Sequence, residues 1–502
     1  MNTIKELHDD FFKEVLGFKP KKGNIKPVHF INNISREILG YHYKNENLYD
    51  FIEPRNKNKK LDEKRTYEKL NELPFYDQLD EKSQFETIRR RAKGLLHSDG
   101  AVFVNSKMVS FTAANEFFIE NDTMGSDIKN YHKSLFEIDL GDNQNIANLL
   151  SQNLTSNQDD LYKLDPITIL FYPLLSQKKI LDEVDSNNNY FLNNDLNSQF
   201  IEKYKFLAKN FYYNYSSFLE TNRIKLFQKI CHFSCIIPLL HFIFLNENSS
   251  RSLILSANTN DKLNKIDWAS HDSYKNLYSE LKGDMCLFLS KKLASDSLFV
   301  EKINSLNPNE DEIIKNFLNE FSFEPPEENG NLKLGKNYLE NRKLIFDQFF
   351  NPDDRIGSFS QVLNGIYEKE VNSSYQFSAF TDRLLKSVGF FFPGLRAHGY
   401  TRVKPKYNII ELLVYTLIGE SDKKNYISYK EFLERLWENY GIIVGGLNSD
   451  DLNDYDYLMK NNYDLDQEDL RENKKSFLNI LKSYGFAKSF HDDLDIVGIN
   501  VI

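Results

Sequence analysis

The chain has 502 residues and carries 63 Lys and Arg against 73 Asp and Glu, a net charge of −10. This balance excludes a uniformly basic nucleic-acid-binding protein but leaves room for one local basic face. Hydrophobic residues make up 41% of the sequence, which excludes wholesale disorder. At roughly 100–200 residues per domain, the length predicts two to four domains.

The N-terminus and the cysteines bear on the cellular compartment. Acidic residues occur early, and no apolar run precedes a small-residue cleavage site, so no signal peptide is predicted. Three cysteines are too few for a disulfide framework, and Cys231 and Cys235 lie in one apolar run. Both features favour a reducing compartment, and we predict a cytoplasmic protein.

The patterns along the chain predict a mainly α-helical protein with several domains. Residues 1–127 contain extended, Pro-containing pieces and a possible short hairpin at 102–109, which predict an N-terminal α/β region. Helical spacing of apolar residues predicts a core domain over 128–322. Two prolines and two glycines in an acidic context predict a linker or loop over 323–336, followed by a helical connector over 337–407.

The most apolar stretch lies at residues 230–245. It has 16 residues, fewer than the roughly 20 needed to cross a bilayer, and it contains His232, Pro238 and His241. These features predict a buried core helix that is kinked or interrupted near Pro238, and no membrane span.

Residues 408–502 show the order helix, helix, helix, hairpin. Ser428 with Glu431 three residues later forms a capping box, which predicts the start of the second helix. Gly441 and Gly485 are placed to end the second and third helices. The predicted helices are 408–418, 428–440 and 470–484, and the predicted strands are 486–490 and 494–501. This order is typical of a winged-helix-like domain, interrupted by an acidic insert at 447–470.

Basic residues in this region are the candidate DNA-binding residues. Arg471, Lys475 and Lys482 fall within about 40° on a helical wheel, opposite the apolar face of the third helix, which in such domains usually enters a DNA groove. A basic strip with interleaved Tyr400 and Tyr407 lies upstream and suits phosphate neutralisation and base stacking. The strip contributes Arg396, Arg402, Lys404 and Lys406 to the predicted DNA-binding set.

Two other interpretations of these basic residues stay open. The winged-helix-like domain could contact protein instead of DNA, or the basic residues could form only a solvated face. Acidic residues in the insert, among them Asp466 and Asp469, would repel phosphate.

Two motifs that could bind a metal or a nucleotide each lack a required feature. Cys231 and Cys235 share a helix face, but His232 points elsewhere, and no second Cys or His pair follows at zinc-finger spacing. Residues 330–337 approach the spacing of a phosphate-binding loop, yet Asn337 replaces the Ser or Thr that binds Mg²⁺. The sequence therefore predicts no metal site, no cofactor and no catalytic residue.

Trp268 lies in the segment Ile266-Asp267-Trp268, which opens a long helix. This position favours a core anchor, with a partner-docking edge as the alternative.

Several of these segments together resemble one family of proteins. They are residues 266–268, the sequence Phe-Phe-Pro-Gly at 391–394, the apolar helix after it, the helix end at Gly441, and the terminal hairpin at 485–493. This pattern resembles DptG-type proteins, which are encoded with DNA phosphorothioation-dependent restriction systems. The resemblance covers about the last 240 residues. It implies a bacterial accessory subunit that acts beside an ATPase and a helicase-like partner against unmodified DNA.

The sequence and the resemblance together predict a non-catalytic subunit of an anti-phage restriction complex. Such a subunit would bridge partner proteins, with direct contact to DNA left open. Two alternatives are a nuclease or other hydrolase with a degenerate site, which clustered carboxylates would support, and a winged-helix transcriptional regulator, which would need a compact dimerisation domain.

Overall fold

The fold is described by a computed structural model for twelve stretches of the chain. They are residues 4–20, 27–39, 126–154, 190–246, 251–260, 262–320, 338–370, 377–394, 399–422, 425–445, 463–490 and 495–499. The predicted hairpin at 102–109, the predicted linker at 323–336 and most of the acidic insert lie outside the described residues.

The described part of the chain is 71% helical and 7% strand, which confirms the prediction of a mainly α-helical protein. A π-helical turn, Phe12–Leu16, follows the first helix, and two 3₁₀ turns, Tyr190–Asn193 and Asp195–Asn197, precede the fifth. The helices are α1 (Ile4–Phe11), α2 (Pro27–Leu39), α3 (Ser126–Phe136), α4 (Ile146–Leu154), α5 (Ser198–Tyr215), α6 (Phe218–Thr221), α7 (Arg223–Ile243), α8 (Lys265–Ser295), α9 (Ser297–Ser305), α10 (Asp311–Glu320), α11 (Tyr338–Phe349), α12 (Arg355–Glu370), α13 (Phe377–Val388), α14 (Tyr407–Leu417), α15 (Tyr429–Tyr440) and α16 (Gln467–Ser483). The strands are β1 (Leu253–Ile254), β2 (Phe391–Phe392), β3 (Arg402–Val403), β4 (Tyr426–Ser428), β5 (Ile442–Ile443), β6 (Ala487–Ser489) and β7 (Asp495–Gly498).

The apolar stretch near residue 240 forms the centre of the core, as predicted. It belongs to α7, which Asn222 caps by accepting a hydrogen bond from the Lys225 backbone N–H. The helix runs on through Pro238 and is not interrupted there. Within the described residues, the segment Lys225–Ile243 is the one helix long and apolar enough to cross a membrane, and 94% of its most apolar part is buried inside the protein. This burial fits a core helix.

One hydrophobic cluster runs through the described residues from Ile4 to Val497. It includes side chains from α5, α7 and α14, so the cluster crosses residue 408, where the sequence suggests a domain boundary. The division of the chain into domains therefore stays a prediction.

The C-terminal elements have the predicted order, with two strands added. Ser428 accepts a hydrogen bond from the Glu431 N–H at the start of α15, which confirms Ser428 as the N-cap, the first half of the predicted capping box. Gly441 and Gly485 adopt positive φ angles of 61° and 79°, which confirms the two glycine stops. The sequence analysis missed β4, which comes directly before α15, and β5, which follows it. Strands β4, β7 and β6 form an antiparallel sheet in that order, with Ile427 opposite Val497.

A short extended segment, residues 251–258, passes through the middle of these elements, and we call it the central segment. All of its residues are buried. Five consecutive backbone N–H groups donate hydrogen bonds to partners that are distant in sequence, on α8, α16, β3 and the β5 region. These bonds join Leu253 to Gly441 O, Ile254 to Ser273 Oγ, Leu255 to Ile443 O, Ser256 to Val403 O, and Ala257 to Asn473 Oδ1, at 2.7–3.0 Å.

Asn473 attaches α16 to the central segment. Its side-chain oxygen accepts the Ala257 N–H at 2.8 Å, and its amide group donates to Leu255 O at 2.8 Å and to Val444 O at 2.6 Å. The side chain is 5% exposed, so water cannot readily replace these bonds. Asn473 thereby fixes which face of α16 points inward.

We expect Asn473→Ala to lower the free energy of unfolding by roughly 3 kcal/mol, because one buried N–H and two buried carbonyl groups would lose their partner. Urea unfolding followed by circular dichroism measures this change. Asn479→Ala is the matched control, since Asn479 is exposed on the same helix. Equal effects of the two substitutions would contradict the role given to Asn473.

Several buried histidines lie in the core, on α1, α3 and α7. His241 can have one tautomer only: its Nε2–H donates to Asn197 Oδ1 at 2.9 Å, because the Asn197 amide nitrogen donates to two carbonyls, and its Nδ1 accepts from Tyr131. Burial lowers the pKa of His232 and His241 to about 3, and of His8 to about 4. These imidazoles are therefore neutral in the folded protein at pH 5–7.

The buried histidines predict a loss of stability in mild acid. In the unfolded chain a histidine has a pKa of roughly 6.5 and binds a proton in mild acid, whereas the buried imidazole of the folded protein stays neutral. The contribution of the histidine to the free energy of unfolding is therefore complete above pH 6.5 and falls as the pH drops toward the folded pKa. Between pH 7 and pH 5 each such histidine should cost about 2 kcal/mol of unfolding free energy. Urea unfolding across this range measures the loss.

His8→Phe provides the comparison, because the His8 ring stacks on Tyr367 at 3.9 Å and a phenyl ring can keep that stacking. We expect this variant to lose less stability than the original chain between pH 7 and pH 5. An identical pH dependence would show that His8 does not contribute.

Candidate nucleic-acid interface

Helix α16 presents the candidate DNA-binding residues because its start and its inward face are both fixed. Asp466 and Asp469 form a capping box in which each side chain accepts the other residue's backbone N–H. The bond from the Asp469 N–H is the largest of the effects that lower the pKa of Asp466, so this cap is ionised. Phe477 and Leu481 are buried beside Asn473, which leaves the opposite face toward solvent.

The three predicted basic residues of α16 all lie on the outward side, but two of them have acidic neighbours. The Arg471 side chain is 79% exposed, and its Nη1 lies 3.8 Å from Glu468. Lys482 Nζ lies 3.1 Å from Asp495 on β7. Lys475 is exposed, and among the described residues it forms no ion pair. Coulomb attraction to phosphate is reduced at the two paired residues, so Lys475 is the least compensated cation of this face.

Arg402 does not lie at the surface, which corrects its assignment as a phosphate contact. Its side chain is buried, and its Nε lies 2.7 Å from the buried Asp267 carboxylate, without hydrogen-bond alignment. The guanidinium group also covers the Phe392 ring at 4.7 Å. The basic strip in the sequence gives no indication that one member pairs with a carboxylate more than a hundred residues away.

The other residues of the upstream strip have different surroundings. Lys404 is half-buried with its ammonium 5.3 Å from the centre of the Phe392 ring. Lys406 is exposed just before α14, and its aliphatic chain lies against Gly389. Arg396 lies outside the described residues. Among the described members of the strip, Lys406 is thus the exposed one, which a phosphate can reach.

Trp268 is 42% exposed, so the expectation of a core anchor is wrong. Its ring lies 4.5 Å from that of Tyr400, which also packs against His271 at 5.1 Å. Phe392 is a third exposed ring in this part of the chain. We call Trp268, Tyr400 and Phe392 the aromatic surface. Exposed Trp and Tyr side chains are enriched at protein interfaces, which fits the partner-docking alternative.

The candidate metal ligands of the sequence are structural. Cys231 and Cys235 are buried, and the Cys231 thiol lies 3.5 Å from Pro27 O. Burial raises the pKa of the Cys231 thiol well above its ordinary value, which disfavours the thiolate that a metal needs. In the part of the chain that the structure describes, no group of three or more His, Cys, Asp or Glu side chains is arranged to hold a metal ion. The loop at 330–337 lies outside that part.

Comparison of the chain with protein-family models, with curated proteins and with solved structures found no match. The DptG-type resemblance therefore rests on the sequence segments alone.

Sequence reasoning also missed a pair of exposed tyrosines near the end of α16. Tyr407 and Tyr484 lie with ring centres 5.1 Å apart, edge to face, and Tyr407 also stacks on the buried Phe486 at 5.8 Å. These interactions join the start of α14 to the end of α16. Tyr407 is noticeable in the sequence because lysines precede it, but nothing local indicates that Tyr484 is its neighbour.

Proposed function

We propose that this chain is a non-catalytic subunit of a bacterial anti-phage restriction complex, which bridges partner proteins and contacts DNA in the cytoplasm. The observation that carries the proposal is the outward, cation-bearing face of α16 in a C-terminal winged-helix-like arrangement. The DptG-type resemblance supplies the biological setting, with an ATPase or helicase-like protein as the expected partner.

The arrangement of the C-terminal elements supports DNA contact. The described elements run α14, β4, α15, β5, α16, β6, β7, with β7 between β4 and β6 in their sheet. Apart from β5, which pairs with β1, this order resembles that of a winged-helix domain. In helix-turn-helix proteins the recognition helix lies against DNA and exposes its outer face to the groove. Here that face belongs to α16 and bears Arg471, Lys475 and Lys482.

The aromatic surface supports the bridging role. Trp268 and Tyr400 are rigid rings that expose large apolar areas, and such rings dominate the energy of protein interfaces. Lys404 beside Phe392 adds a cation at the edge of the same surface. A partner that covers these rings would remove their apolar area from water, which is the main driving force of association.

No specific observation favours the two alternative functions. A hydrolase would need clustered carboxylates, and the described residues contain no metal-holding group. A transcriptional regulator would need a compact dimerisation domain. The described middle of the chain instead shares one hydrophobic cluster with the C-terminal elements.

Reversal of charge on α16 tests the DNA contact. We expect Arg471→Glu, Lys475→Glu and Lys482→Glu together to weaken binding to duplex DNA of any sequence, because phosphate contacts position the protein without reading bases. The slope of log K against log salt should flatten by roughly 0.9 for each phosphate that the variant no longer neutralises. Fluorescence anisotropy measures both, on the full chain and on the complex co-expressed from neighbouring genes.

The matched control reverses Lys205, Lys209 and Lys291, which are exposed on α5 and α8 and give the same change in net charge. The control should bind DNA with nearly the original salt slope. An unchanged salt slope in the α16 variant would show that these basic residues form only a solvated face and do not contact phosphate. Loss of the α16 variant from the complex would assign this helix to protein contact instead.

A double substitution tests the bridging surface. We expect Trp268→Ala with Tyr400→Ala to release the chain from its partner, because the variant would no longer bury the apolar area of both rings on binding. Co-purification with a tagged partner measures the loss, and Tyr213→Ala, at an exposed tyrosine on α5, should leave assembly intact. If the double variant assembles normally, the aromatic surface is not the docking site.

A further inference from the structure

The acidic residues of α16 are concentrated at the start of the helix. Its start carries Asp466, Glu468, Asp469 and Glu472 around one cation, Arg471, while Lys475 and Lys482 lie farther along the helix. Lys265 of α8 offsets part of the acidic charge, with its Nζ 3.3 Å from Asp466 and 3.2 Å from Asp469. Even with Arg471 and Lys265, carboxylates remain in excess at the start of the helix, so its second half is the part more favourable to a phosphate chain.

Two tyrosine rings lie at the attractive end. Tyr407 is 44% exposed and Tyr484 is 38% exposed, and the two rings support each other edge to face at 5.1 Å. Phe486 is 6% exposed and packs beneath Tyr407, which anchors the pair to the core. The rings are therefore held in place while part of each is open to solvent.

Lysines lie close to these rings along the sequence. Lys406 directly precedes Tyr407, and Lys482 lies one half-turn before Tyr484, where Asp495 holds its ammonium at 3.1 Å. Lys488 is exposed on β6, the strand that packs against α16, and the neighbouring Phe490 is 50% exposed. We call Lys406, Tyr407, Lys482 and Tyr484 the tyrosine–lysine surface.

We propose that the tyrosine–lysine surface binds unpaired bases, so that the DNA ligand is a duplex with a single-stranded end or tail. The inference rests on the proposed DNA contact and adds the class of DNA. Aromatic rings beside a cationic track bind single strands because each base offers a face for stacking and each phosphate a charge. Within a duplex the base faces are already stacked on one another, so the rings gain nothing from them.

Fluorescence anisotropy with two probes tests the proposal on the full chain. The probes are a blunt duplex and the same duplex with a single-stranded thymidine tail. We expect the tailed probe to bind about ten-fold more tightly, and we expect Tyr407→Ala and Tyr484→Ala each to remove most of that preference. Tyr484→Phe keeps the ring and should keep the preference, and Tyr213→Ala serves as the remote control.

The outcomes separate this inference from the proposed function. Equal binding of both probes, or a preference that survives loss of both tyrosine rings, overturns the inference while DNA contact through α16 stands. Failure of the chain and of its complex to bind either probe overturns both. A preference lost in the alanine variants and kept in Tyr484→Phe supports stacking, provided that circular dichroism shows the variants folded.

Discussion

The buried central segment is the constraint on which the rest of the structure depends. A buried backbone N–H without a partner is costly, so an extended chain inside a helical protein must find acceptors for every such group. Residues 253–257 find them on elements drawn from distant parts of the sequence. The segment thus fixes α8, α16, β3 and the β5 region relative to one another, although it contains only one short strand, β1.

Asp267 connects the start of α8 to the central segment and to β3. Its carboxylate is almost fully buried, accepts hydrogen bonds from Ser256 at 2.7 Å and Asn258 at 2.5 Å, and lies next to the Arg402 guanidinium. It also accepts the Asn264 backbone N–H in the capping box of the helix. The Asp267 carboxylate therefore links the helix cap, the central segment and β3. The nearby Arg402 guanidinium offsets part of the free-energy cost of removing this carboxylate from water.

Several of the residues proposed for function lie within two positions of these buried anchors. Trp268 follows Asp267, and Arg471 and Lys475 lie on either side of Asn473. Because a helix turns about 100° per residue, an inward anchor places its close neighbours on the outward or lateral faces. The same interactions that hold the fold together thereby set the direction of the exposed rings and cations, and a ligand meets them already in position.

Local sequence signals determined much of this protein without reference to the fold. Helical spacing predicted the mainly α-helical class, and Ser428, Gly441 and Gly485 marked helix ends correctly, because caps and stops act over a few residues. Tertiary structure decided three other features: the exposure of Trp268, the burial of Arg402 and the contact between Tyr407 and Tyr484. Whether a ring is exposed, or a cation is free for phosphate, depends on partners that lie tens to hundreds of residues away. Periodicity and composition carry no information about such pairs, so only the packed structure decided which basic and aromatic residues remain available to a ligand.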